Sequence, residues 1–321
     1  MTKAVDGFAD AVSKQPLKFL VEVLKGVAQV DFMPSALCGL FFVAALFASG
    51  WQYGLYGLLG ASVATATAYV LGVDRTIVEA GLRGFNGCLV ATGYAVFLGP
   101  DHASTVILAI GGSVTVVMVT SALANILGTW NIPTFTMPFC IMASVMTVAA
   151  PSFQRVWHGG TDLAALPTAA TGATRLSWDD LWHAFFGNIG QIFFMPQWYV
   201  GLLFLVGILV ASRTAAAMAC VGSVIGIFVA WALGSPASGV AQGLMGYNAV
   251  LVAMALCGVF IKLGSWSFAY AVIGAAAATG LTAAMGTFFA PFGGHTFTWP
   301  FVLTALVFVA AVPSFTRLSR T

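Results

Sequence analysis

Two glutamines, two threonines and four aromatic residues interrupt apolar stretches of this sequence at spacings that recur. Gln29 precedes Phe32 by three residues, as Gln191 precedes Phe194. At i and i+3 an amide and a ring share one face of a helix. A glutamine turned toward lipid would leave its donors and acceptors unpaired, so both amides are expected to point inward, to a cavity or a neighbouring helix. Gly-Leu-Arg-Gly-Phe-Asn (81–86) and Gly-Leu-Met-Gly-Tyr-Asn (243–248) combine paired glycines with an aromatic, Phe85 or Tyr247, and an asparagine. That pattern reads as a turn whose Asn86 or Asn248 caps the next helix, with the aromatics in the core or facing a cavity. Thr-Phe-Thr-Met-Pro-Phe (134–139) and Thr-Phe-Thr-Trp-Pro-Phe (296–301) place Thr136 and Thr298 two residues before a proline suited to a helix start or break. Their hydroxyls are expected to face a cavity or cap a helix; Thr134 and Thr296 read as structural.

Together these groups offer neutral acceptors and flat aromatic faces. An inorganic ion would call for rings of charge or ordered carbonyls; a flat, neutral solute with several N–H donors fits better. No nucleophile–base set and no phosphate-binding loop is visible, so an enzyme is not expected. The four histidines lack ligand spacing, and the five cysteines lie in apolar runs without a C-x-x-C pair, so neither a metal, a cofactor nor a disulfide is expected. Asp31 is the one acid inside a repeated motif, its counterpart being Phe193. It is expected near an aqueous vestibule and is the candidate for proton coupling.

The elements that must position these groups are membrane helices. Of 321 residues, 60% are hydrophobic and only 7% charged, with a mean hydropathy of +0.97. A soluble domain carries about 25% charged residues, so most of this surface must face the lipid bilayer. A net charge of +2 gives no basis for binding nucleic acid. No Asp, Glu, Lys or Arg lies between Asp101 and Arg155, Asp180 and Arg213, Arg213 and Lys262, or Lys262 and Arg317. Each gap holds at least one span of about 20 residues, and the absence of strict alternation favours helices over a β-barrel.

The motifs also fall in one register. Gln29 and Gln191, Asn86 and Asn248, Thr136 and Thr298, and Pro-Ser-Phe at 151–153 and 313–315 are all offset by 162 residues (191 − 29, 313 − 151). The chain is therefore expected to be a tandem duplication: a first transmembrane repeat over 18–153, a polar linker over 154–179, and a second repeat over 180–315. An N-terminal cytoplasmic or amphipathic segment over 1–17 and a C-terminal tail over 316–321 complete it. Lys3, Lys14, Lys18 and Lys25 outnumber the basic residues of the linker (Arg155 and Arg175). The positive-inside rule then puts both termini in the cytoplasm and the linker outside, so that the second repeat is inverted and the site lies between the halves, near the midplane.

Val-Ala-Gln-Val-x-Phe, Ile-Gly-Gln-Ile-x-Phe, two Gly-Leu-x-Gly-aromatic-Asn and two Thr-x-Pro-Phe motifs, in order and at one offset, resemble the urea transporter family. The resemblance covers about residues 18 to 315 and implies a bacterial member of the family, a multi-pass protein of the bacterial inner membrane. It further implies a homotrimer with one pore per protomer, each half giving five membrane helices and a short pore helix. Gln29 and Gln191 would accept hydrogen bonds from urea at the two ends of a filter. Phe32 with Phe85, and Phe194 with Tyr247, would form aromatic slots, and Thr136 and Thr298 would line the central constriction. One departure is that many members carry an Asn-Pro pair after the glutamine, where this chain reads Phe-Met-Pro-Ser-Ala and Phe-Met-Pro-Gln-Trp. The alternative function is an ion-coupled transporter, or a channel for another small polar solute such as a short amide or ammonia.

Overall fold

The structure, a computed structural model, describes residues 16–159, 166 and 168–321. Most of the segment expected over 1–17 lies outside the described residues, as does Asp162 of the expected linker. The first half gives α1 (Pro16–Ala28), α2 (Ala36–Ser49), α3 (Trp51–Val70), α4 (Arg75–Glu79), α5 (Phe85–Leu98), α6 (Ala103–Gly128) and α7 (Met137–Ala149). The second gives α8 (Trp178–Gly190), α9 (Trp198–Ala211), α10 (Arg213–Ala232), α11 (Ala237–Ala241), α12 (Tyr247–Met254), α13 (Ser265–Phe289) and α14 (Trp299–Ala311). Each helix of the second series begins 162 residues after its counterpart, as 178 − 16, 247 − 85 and 299 − 137 show. The main departure is α12, which gives way to an irregular turn over Ala255–Val259 where Cys257 and Gly258 leave helical geometry.

Among the described residues three helices, Ala103–Gly128, Arg213–Ala232 and Ser265–Phe292, are long and apolar enough to cross a bilayer. Two further apolar helix pairs are bent at a short break: Pro16–Asp31 meets Ala36–Ser49 at 77°, and Trp178–Phe193 meets Trp198–Ala211 at 74°. Large apolar residues such as Ile107, Phe228 and Ile273 project outward, as they must where the solvent is lipid. The chain is a multi-pass membrane protein. By contrast α5 and α12 are buried on almost every side, and a helix apolar all round belongs in the interior.

The halves are joined through α2 and α9, where the Phe42 ring meets Phe193 at 5.6 Å and Phe204 at 4.8 Å. A single buried apolar cluster runs through both. The end of the chain is tied back to this body. Arg320 donates to the carbonyls of Val309, Trp130 and Asn131, and the Lys262 amide donates to Ser319 O.

Candidate functional site

The bent helix pairs place the glutamines. Helix α1 tightens into a 3-10 turn over Gln29–Asp31 and stops at Phe32, whose φ of 65° and ψ of 18° are left-handed. Helix α8 ends the same way, with Gln191–Phe193 in a 3-10 turn and Phe194 at φ 66°, ψ 21°. The Phe32 amide donates to Gln29 O and the Met33 amide to Ala28 O, and the equivalent bonds recur at Phe194 and Met195. Left-handed geometry satisfies the last carbonyls of a helix, and a proline beyond keeps it from resuming. Glycine normally takes that position; a non-glycine residue there costs about 1–2 kcal/mol. The two rings thus lie past the helix end, and the shared helical face expected for Gln29 with Phe32 and for Gln191 with Phe194 is replaced by this terminus.

Each glutamine is half-buried and anchored by its amide nitrogen. Gln29 Nε2 donates to Ala80 O at 2.9 Å, and Gln191 Nε2 donates to Gln242 O at 2.9 Å. Both carbonyls directly precede a glycine of the second motif, Gly81 and Gly243, at φ 79° and 75°. A Cβ on Gly81 would meet the Gly26 nitrogen at 2.6 Å, and one on Gly243 would meet the Gly187 carbon at 2.3 Å. The motif therefore needs glycine both for its turn and for the close approach of α1 and α8. With the nitrogen engaged, each glutamine keeps Oε1 as the free end of its amide.

The asparagines cap helices, but not the ones that follow them in sequence. Asn86 and Asn248 lie inside the first turns of α5 and α12. Asn86 Oδ1 accepts from the Phe139 amide at 3.3 Å, and Asn248 Oδ1 accepts from the Phe301 amide at 3.2 Å. These are first-turn amides of α7 and α14, which lack partners within their own helix. The reach across the fold corrects the sequence-based expectation, which weighed only local capping. Thr120 and Thr282 steady the asparagine nitrogens at 3.4 and 3.2 Å.

Thr136 and Thr298 are the N-cap residues of α7 and α14, and neither side chain makes a cap bond. Their hydroxyls instead hydrogen-bond to each other at 2.6 Å. Both residues are buried, with Cys140 Sγ 3.1 Å from the Thr298 hydroxyl. Two helix N-termini thus converge where the halves meet. Each carries a partial positive charge of roughly half an elementary unit, so the centre disfavours cations without presenting a formal charge.

A cavity of about 340 Å³ reaches this centre from the first half and is lined by Gln29, Phe32, Phe85 and Thr136 together. Phe135 and Phe260 also border it. Phe32 meets Phe260 at 5.5 Å and Phe301 at 5.8 Å. On the other side, Phe194 meets Phe139 at 5.7 Å and Phe297 at 6.4 Å, and the Tyr247 hydroxyl donates to Phe297 O. Rings from each half therefore pack on the short helix of the other. Phe135 and Phe297 were passed over in the sequence, although both sit between the repeated threonines. Each is left-handed, at φ 50° and 45°. Phe260 and the tilted ring pair Phe97–His295 (4.1 Å) carry no repeat signal, because their counterparts are Leu98, Val259 and Pro133.

Asp31 does not lie at an aqueous vestibule. It is fully buried, and neither carboxyl oxygen has a hydrogen-bond partner. The 3-10 turn that sets Gln29 in the cavity lining places Asp31 in the core, where its counterpart Phe193 packs against Phe42 and Phe204.

A family model described as Urea transporter matches residues 20–313. Urea transporter 1 of Capra hircus is 31% identical over 303 residues, covering 92% of this chain and 77% of that protein. Urea transporter 1 of Ovis aries is 30% identical over the same extent. The Rattus norvegicus protein of that name is 28% identical over 307 residues, covering 94% of this chain and 80% of its own.

Proposed function

The chain belongs to the urea transporter family and is a transporter rather than an enzyme, and from that premise we propose that it conducts urea passively through one pore between its halves. The observation that carries this reading is the single cavity lined by Gln29, Phe32, Phe85 and Thr136, ending at the hydroxyl pair of Thr136 and Thr298. Urea is planar and carries four N–H donors. Gln29 Oε1 accepts at one end, Gln191 Oε1 at the other, and the two threonine hydroxyls between them. Each bond replaces one made to water, at a net worth of about 0.5–1.5 kcal/mol. At the constriction the solute exchanges the hydroxyl–hydroxyl bond for bonds to itself.

Phe32 with Phe85 forms the first slot, and Phe194 with Tyr247 the second. Flat walls admit a flat solute and hold back rounder ones. Cations meet two converging helix N-termini, and no ring of charge or carbonyls replaces their hydration. The helix starts at one offset of 162 residues support two repeats, over 18–153 and 180–315, joined by the linker over 154–179. The Lys18 and Lys25 side, against an odd number of crossings per half, supports an inverted second repeat with both termini cytoplasmic. The family likeness supports a homotrimer with a pore in each protomer.

The coupled alternative would place its charge on Asp31, which is buried away from the cavity lining. Urea uptake by proteoliposomes, measured with and without imposed proton and sodium gradients, separates the two. Equal rates support the passive pore; uptake that requires a gradient overturns it.

A further inference from the structure

The cavity also contains a charge that the acceptor filter does not use. Arg83 lines it beside Gln29, while the rest of the lining is apolar, amide or hydroxyl. Its Nε is buried and has no hydrogen-bond partner. Among the described residues the ion pairs are Lys18–Glu79 and His183–Asp179, and no described acid pairs with Arg83. The position is also one-sided, because the residue 162 later is Met245.

A guanidinium presents five N–H donors and no acceptor. At the mouth Gln29 Oε1 serves the N–H groups of urea, while its amide nitrogen is held by Ala80 O, so the glutamine offers no donor to the carbonyl oxygen, the strongest acceptor of the solute. We propose that Arg83 is a solute-binding and selectivity residue at the first-half mouth of the pore. It donates to the carbonyl oxygen while Gln29 Oε1 accepts from N–H, so the solute enters oriented. Hydrogen bonds to a charged donor are the stronger kind. The same uncompensated charge repels planar cations that share urea's shape but lack its carbonyl, of which guanidinium is the nearest analogue.

This inference rests on the urea reading, and wild-type urea flux is therefore measured first; no flux there would defeat that reading, and this one with it. Stopped-flow urea flux is then compared for wild type, Arg83→Met, which copies the second half, and Arg83→Lys, which keeps the charge and a donor. We expect Arg83→Met to raise the urea concentration for half-maximal flux about tenfold, leave maximal flux nearly unchanged, and make guanidinium an inhibitor. Arg83→Lys should restore guanidinium exclusion and part of the urea affinity. Arg83→Met with wild-type half-saturation and no sensitivity to guanidinium would overturn the proposal. So would a fall in maximal flux alone, the mark of a merely structural residue. If Arg83→Met yields no folded protein, Arg83→Lys that loses guanidinium exclusion counts against it equally.

Discussion

The hydroxyl oxygens of Thr136 and Thr298 lie 2.6 Å apart, buried between the N-termini of two short helices from opposite halves of the chain. Residues 162 positions apart are thus brought together at one point. A cap side chain would ordinarily satisfy its own helix. Here Asn86 and Asn248 bind first-turn amides of α7 and α14, and the threonine hydroxyls bond to each other.

Thr136→Val and Thr298→Val keep the shape of the constriction and remove one hydroxyl each. A solute crossing it loses a hydrogen bond worth about 1 kcal/mol, so urea flux should fall roughly five- to tenfold. Stopped-flow light scattering on matched amounts of folded protein checks this. Wild-type flux in both variants would remove the threonines from the pathway.

Asn86→Ala should destabilise the fold by about 1–3 kcal/mol, because the Phe139 amide would be left buried and unpaired. Asn248→Ala should do the same through Phe301. The midpoint of thermal unfolding in detergent is the measurement. An unchanged midpoint would mean that water or backbone takes over the cap.

Asp31→Leu should raise that midpoint, since it removes a buried carboxyl group without partners at a site where the other half carries phenylalanine. Urea flux should stay at the wild-type level with or without an ion gradient. Loss of flux would return Asp31 to the transport mechanism.

Phe32→Gly separates backbone from ring. Glycine removes the left-handed strain of about 1–2 kcal/mol, so folded protein should be recovered. The slot loses one wall, and the ratio of N,N′-dimethylurea flux to urea flux should rise. An unchanged ratio would show that the ring does not select solutes.

Much of this was legible in the sequence, and the limits are physical. A repeat conserves chemistry at fixed offset, so Gln29 with Gln191 and Thr136 with Thr298 could be paired from spacing alone. Sparse charge made membrane helices the only economical fold. The same local logic failed wherever a helix ends. The spacing of Gln29 and Phe32 implies one continuing helix, but the left-handed Phe32 stops it, and Asp31 lies in the core instead of at a vestibule. The asparagine caps were missed because their partners lie 53 residues away. Phe260 and His295 have unlike counterparts in the other half, so no repeat could announce them.

The most direct test of the pore is the rate at which urea enters proteoliposomes carrying this protein, followed by stopped-flow light scattering with no ion gradient imposed. We expect entry well above that of protein-free liposomes, saturating with urea concentration and strongly reduced by Gln191→Leu in folded protein. Entry no faster than through the bare bilayer would contradict a urea pore between the two halves.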